Sequence, residues 1–121
     1  MFTTGFFAGS PSPTVARFVA RFREAFGRDP GFIEAIAYDS ARILIHTVQQ
    51  PGVRLRTGIR NALWDLREFA GVTGETGFDR SGEAVKRPFL LQVQGDAFVE
   101  LDPQAPPAWS PLRPRIPEPP P

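Results

Sequence analysis

The chain has 121 residues, a formal net charge of +1 and no cysteine. That length suits one small domain, burying roughly 65% of its unfolded surface. Missing cysteine excludes disulfide frameworks, thiolate metal sites and Cys nucleophiles, and a near-balanced charge offers no footprint for nucleic acid.

Taken in chain order, "GFFAG" (Gly5–Gly9) is an apolar run bounded by glycines and predicts a buried strand of a parallel or mixed sheet. Ser12 is a good N-cap and Pro13 suits a first helical position. The first helix is predicted over Pro13 to Phe26, with Val15, Phe18, Val19, Phe22 and Phe26 on one face and Gly27 as a left-handed C-cap.

The second helix is predicted over Phe32 to Gln50. Ile33, Ala37, Ala41, Leu44, Ile45 and Val48 form a broad apolar arc, with Ile36 and Ile43 beside it. Asp39, Arg42, His46 and Gln49 share the remaining polar arc. A helix with this much apolar circumference packs on two sides. The third helix is predicted over Thr57 to Phe69, burying Ile59, Ala62, Leu63, Leu66, Phe69 and Ala70. Trp64 projects among Arg60, Arg67 and Glu68, where it can stack on a guanidinium or meet a further element.

The glycine-rich stretch "GVTGETGFD" predicts a short strand near Thr76–Phe78, and "DRSG" a turn. "RPFLLQVQ" and "AFVEL" predict two strands joined at Gly95–Asp96. Nine of the fourteen prolines lie between Pro103 and Pro121, so residues 102–121 read as a proline-rich disordered tail and residues 1–101 as the globular part. These few strands cannot cover both the helices and themselves, so the sequence reads as part of a larger architecture.

Chemistry-bearing motifs are sparse. Asp39 and His46 are seven residues apart on one helix, roughly 10 Å, too far for an acid–base pair, and are expected on a solvated or interlobe polar face. The single His has no companion metal ligands. "GVTGETG" lacks the lysine and following helix of a phosphate loop. An enzymatic role, a cofactor and a metal are therefore not expected. No apolar run approaches the roughly 18 residues of a membrane span. The N-terminus shows neither the basic nor the long apolar region of a signal peptide.

"FFAGSPSPTVARFVARFREAFGRDPGFIEAIAYDSARIL" followed by "GVTGETGFDRSGEAVKRPFLLQVQGDAFVEL" resembles the C-terminal portion of type I periplasmic solute-binding proteins. The branch is that of the branched-chain amino-acid-binding proteins of ABC importers, with the related penicillin-binding-protein activator lipoproteins. "GRDP", "AYDSARIL" and "GVTG…FD…G" are its most specific pieces. The resemblance implies an α/β fold: a partial type I periplasmic-binding-protein fold with about three helices, an N-terminal strand and a C-terminal β-hairpin. It places "GFFAG" and the first helix in the second lobe and the next two helices in the first. It makes "GVTGETGFD" the last crossover of a hinge, where small residues absorb rotation.

The function implied is non-catalytic binding of an amino acid or similar small solute. The partner implied is an ABC permease, and the full-length parent is implied to be periplasmic. By the resemblance, Tyr38 looks toward the interlobe cleft, where a Tyr ring offers apolar area and a polar handle; its alternative is a partly buried core ring. Thr4 stands where the amino-acid-binding branch carries an acidic residue for the ligand's ammonium; its alternative is a plain strand or turn residue. Two other roles stay open: a cell-envelope interaction module like the activator lipoproteins, and a remnant without function of its own.

Overall fold

The computed structural model describes residues 1–101. Nine elements follow one another: β1 (Phe2–Thr4), α1 (Pro13–Phe26), α2 (Phe32–Val48), α3 (Arg56–Asp65), β2 (Phe69–Gly71), β3 (Gly74–Phe78), β4 (Ala84–Lys86), β5 (Phe89–Gln94) and β6 (Ala97–Leu101). They form an α/β arrangement with two three-stranded sheets, ordered β1-β5-β6 and β2-β3-β4. Every strand pair is antiparallel.

Helix α1 occupies the predicted residues. Pro13 pre-sets its first turn, and Gly27 closes it at φ 67° with its N–H donating to Arg23 O at 2.8 Å. Ser12 sits at the N-cap without a side-chain capping bond. Val15, Phe18 and Val19 are buried and Phe22 is partly so, while Phe26 stands exposed. Helix α2 begins at Gly31, whose N–H donates to Glu34 Oε2 at 3.0 Å.

"GFFAG" is not a strand. The strand lies just before it, and its partner β5 runs antiparallel rather than parallel. The hydroxyl of Thr4 donates to the carbonyl of Phe6 at 3.1 Å and accepts the Phe6 N–H at 3.5 Å. This local bond offers the backbone an alternative to the ladder, so the chain turns away. The Phe6 ring then packs into the core, edge-on to Phe18 at 6.0 Å between centroids.

Helix α3 also stops four residues early. Leu66 is extended, Glu68 takes φ 50°, and Phe69–Gly71 pairs with β3 instead of continuing the helix. Arg67 satisfies the freed carbonyls: its Nη1 donates to Trp64 O at 2.6 Å, Leu66 O at 3.0 Å and Phe78 O at 3.1 Å. No residue inside α3 is buried; Leu66, just beyond its end, is, at 9% exposure. The predicted burial of Ile59, Ala62 and Leu63 is therefore only partial. Strand β4 had no sequence signal of its own.

The core is one cluster: Val15, Phe18 and Val19 of α1, Ala35 of α2, and Val72 in the β2–β3 turn. Helices α1 and α2, assigned by the resemblance to different lobes, meet in it. Beside this cluster α2 presents a bare flank. Phe32, Ile33, Leu44, Ile45 and Val48 are all exposed, Ile33 by 74%. The expectation about residues 102–121 lies outside the described residues.

Candidate functional site

Tyr38 is half-buried on α2. Its ring lies 4.5 Å from that of Phe18, tilted by 31°, and packs against the core cluster. The Arg42 guanidinium sits 5.6 Å from the same ring and 5.2 Å from that of Phe69, and Arg42 Nη1 donates to Ala70 O at 3.4 Å. One face of Tyr38 is thus committed to packing, with a cation held close by.

Thr4 is half-buried at the end of β1, opposite Phe89 of β5. Phe6, Phe89 and Tyr38 all pack against the same cluster. The two residues singled out by the sequence therefore adjoin one core, linked through Phe6 and Phe18. The bonds of the Thr4 hydroxyl to Phe6 hold the turn that carries the Phe6 ring inward.

Asp39, one residue beyond Tyr38, departs most from expectation. Its position on the helix predicts a solvated or interlobe polar arc, yet it is 1% exposed. Its Oδ1 accepts the Val72 N–H at 2.8 Å, and its Oδ2 accepts the Thr73 N–H at 2.8 Å and the Thr73 hydroxyl at 2.6 Å. A buried carboxylate is tolerated when such donors surround it. Lys86 Nζ donates to Thr73 Oγ1 at 2.6 Å and to Thr76 Oγ1 at 2.9 Å. Burial pushes the Lys86 ammonium below its ordinary value of 10.5, with the Asp39 charge opposing that fall. Asp39, Thr73 and Lys86 so join α2, the β2–β3 turn and β4 in one polar chain.

Gly71 makes this approach possible. A Cβ there would lie 2.5 Å from Asp39 Oδ2 and 2.8 Å from its Cγ. The carboxylate cannot swing aside without leaving its donors. Sequence reasoning missed Asp39 because it weighed hydrophobicity around the helix. A weaker signal was present: Ala35, Asp39, Ile43 and Thr47 recur every fourth residue, and all four are buried.

The remaining polar candidates do not assemble a reactive site. His46 approaches Gln50 Nε2 at 3.2 Å and the Phe69 ring at 5.7 Å, while both Asp39 oxygens face the β2–β3 turn. Among the described residues no group of three or more His, Cys, Asp and Glu is placed to hold a metal ion. Trp64 stacks under the Arg60 guanidinium at 4.9 Å. It lines an apolar cavity of about 400 Å³ with Ile59, Leu63 and Phe78, away from Tyr38 and Thr4. No described helix is long and apolar enough to cross a membrane.

Residues 1–97 match the sequence profile described as periplasmic binding protein. The chain belongs to the periplasmic binding protein family.

Solved structures agree with that assignment. A Rhodospirillum rubrum protein of branched-chain amino acid ABC transport is 32% identical over 82% of this chain, with a TM-score of 0.75. The Streptococcus pneumoniae binding protein LivJ, solved in complex with isoleucine, is 25% identical over 84% of the chain, with a TM-score of 0.67. The Thermotoga maritima leucine-binding protein LivK shares the fold at 24% identity over 84% of the chain and a TM-score of 0.64. The chain spans 29% of the length of the R. rubrum and T. maritima proteins and 30% of LivJ. No match was found among curated proteins. The three helices, the N-terminal strand and the β5–β6 hairpin thus represent part of a periplasmic-binding-protein fold, as the sequence predicts.

Proposed function

We propose that this chain forms one wall of the solute cleft of a periplasmic binding protein, non-catalytic, for an amino acid or a similarly small solute. The family match over residues 1–97 carries the reading. The isoleucine complex of LivJ supports an amino acid as the solute class. Tyr38 lines the wall: Phe18 and Arg42 hold its ring, so little side-chain freedom is lost when a ligand packs on it. Thr4 stands at the polar end of the cleft. A hydroxyl engaged with Phe6 is a weaker partner for an ammonium group than a carboxylate, so a typical α-amino acid is held less tightly. The parent protein is periplasmic in this reading and delivers its solute to an ABC permease. Closure of two lobes on the ligand supplies the binding energy.

The test is a chimera in which residues 1–97 replace the matching segment of the R. rubrum protein, titrated with leucine and isoleucine by calorimetry. Binding is expected, with Tyr38→Ala weakening it roughly tenfold or more and Thr4→Glu strengthening it. The isolated chain, one wall only, is expected to show no measurable affinity. A chimera that unfolds cooperatively yet takes neither amino acid contradicts the solute assignment.

The family resemblance favours a second reading. By it Thr4 stands where the amino-acid-binding branch carries an acidic residue, as suits an envelope interaction module like the activator lipoproteins. A pull-down from periplasmic extract that returns peptidoglycan synthases, with no amino-acid binding by the chimera, selects it.

A further inference from the structure

Helix α3 carries a second stripe apart from the side that meets α2. Arg56, Ile59, Arg60, Leu63 and Trp64 recur at three- and four-residue steps and so share one flank. With Phe78 at the end of β3 and Gly82 in the β3–β4 turn, they line the apolar cavity of about 400 Å³. That volume lies in the range of small-ligand sites. Ile59, Leu63 and Phe78 are half-buried, and Trp64 is 40% exposed. Gly82 takes φ 89°, and a Cβ there would meet nothing within 4 Å, so bare backbone borders the hollow at this turn.

The charges at this cavity are all of one sign. Arg56 and Arg60 border it, and no carboxylate does. The nearest acids along the chain are engaged elsewhere: Asp65 lines a separate cavity with His46 and Ala62, and Glu68 another with Glu75 and Arg87. Asp79, in the adjoining turn, spends Oδ1 on the Ser81 N–H, the Ser81 hydroxyl and the Glu83 N–H. Among the described residues the ion pairs are Arg23–Asp29, Arg28–Glu34 and Arg87–Glu75, so Arg56 and Arg60 join none. Arg60 stands 4.9 Å from the Trp64 ring, which holds its guanidinium in place before any anion arrives. An apolar hollow rimmed by two unpaired guanidinium groups is the complement of a molecule with an apolar body and one anionic end.

We propose that this cavity binds a small amphipathic carboxylate. Its aromatic or branched body rests on Ile59, Leu63, Trp64 and Phe78, and its carboxylate pairs with Arg60 and Arg56. The site is separate from Tyr38 and Thr4, and the inference is independent of the solute reading.

Trp109→Phe leaves Trp64 as the sole indole of the full chain. In that background 4-phenylbutyrate is expected to blue-shift Trp64 emission saturably and to reduce its quenching by acrylamide, with a Kd of about 1 mM or below. 4-Phenylbutanol, which lacks the charge, is expected to bind roughly tenfold more weakly, and 4-phenylbutylamine more weakly still. Arg56→Gln with Arg60→Gln should remove the preference for the acid while leaving the affinity for the alcohol, a pattern that a folding defect does not produce. Arg56→Glu with Arg60→Glu should turn the preference toward the amine. Circular dichroism on each variant checks that the helices are intact. No saturable shift with 4-phenylbutyrate overturns the proposal, as does a preference for the acid that survives both pairs of substitutions. A shift that vanishes on dilution of the protein assigns the flank to a second copy and overturns it. So does binding that is lost in the R. rubrum chimera, which assigns the flank to the rest of the fold.

Discussion

On one side of α2, Ala35, Asp39, Ile43 and Thr47 are buried; on the other, Ile33, Ala37, Ala41, Leu44, Ile45 and Val48 face solvent. The usual amphipathic order is reversed: a carboxylate lies inside and the larger apolar arc outside. The inner face is held by directed bonds. Asp39 accepts three hydrogen bonds from the β2–β3 turn, and Ala35 with Val72 closes the core around α1. The outer arc has no cover among the described residues. The two faces teach that an apolar pattern reports what a helix is built to touch in the whole architecture. The relatives that share this fold are nearly three times as long as this chain.

The comparison breaks most sharply at Asp39. Asp39→Ala orphans the Val72 N–H, the Thr73 N–H and the Thr73 hydroxyl inside the core. The expected loss is about 3 kcal/mol of unfolding free energy, read by urea titration. A loss as small as that of a surface substitution would mean that the inner face is not held by this carboxylate.

A smaller effect is expected at Lys86, whose ammonium is partly desolvated and whose folded value lies below 10.5. Between the folded value and 10.5 the unfolded chain binds more protons, so stability rises with pH across that window. Below the window the full cost of desolvating the ammonium is present. Lys86→Met is expected to remove the alkaline rise while leaving Asp39 its three donors. Chemical denaturation at a series of pH values from neutral to 10.5 checks this, and an alkaline rise unchanged in Lys86→Met contradicts it.

The smallest effect is expected on the outer arc. Leu44→Lys combined with Ile45→Lys should change the unfolding free energy of this chain by no more than about 1 kcal/mol, because both side chains are about half exposed and neither joins the core cluster. The same pair placed in the R. rubrum chimera is expected to destabilise it by more than about 2 kcal/mol, the range of buried-core changes, if the larger fold covers the arc. Equal effects in the two settings would remove the contrast between the faces.

The local signals in the sequence served well where they were self-contained. Pro13 and Gly27 bracket α1 at its observed ends, and Gly95, at φ 65°, turns β5 into β6 as predicted. Signals that depend on distant partners were not legible. The donors of Asp39 lie 33 and 34 residues along the chain, so nothing near it announces burial. The end of α3 is set by Arg67, which reaches Phe78 O eleven residues on as well as the carbonyls of its own turn. "GFFAG" looked like a strand by composition, and the Thr4 hydroxyl decided otherwise. Tyr38 and Thr4 were legible as candidates through the family resemblance; their residue types and spacing carry no chemistry that would single them out.

Native-state hydrogen exchange at the Val72 and Thr73 amides tests the buried Asp39 anchor most directly. The account predicts that both are among the slowest amides in the chain, and that Asp39→Ala brings them to the rate of the exposed Asp79–Gly82 turn. Exchange at that turn's rate in the unaltered chain would contradict it.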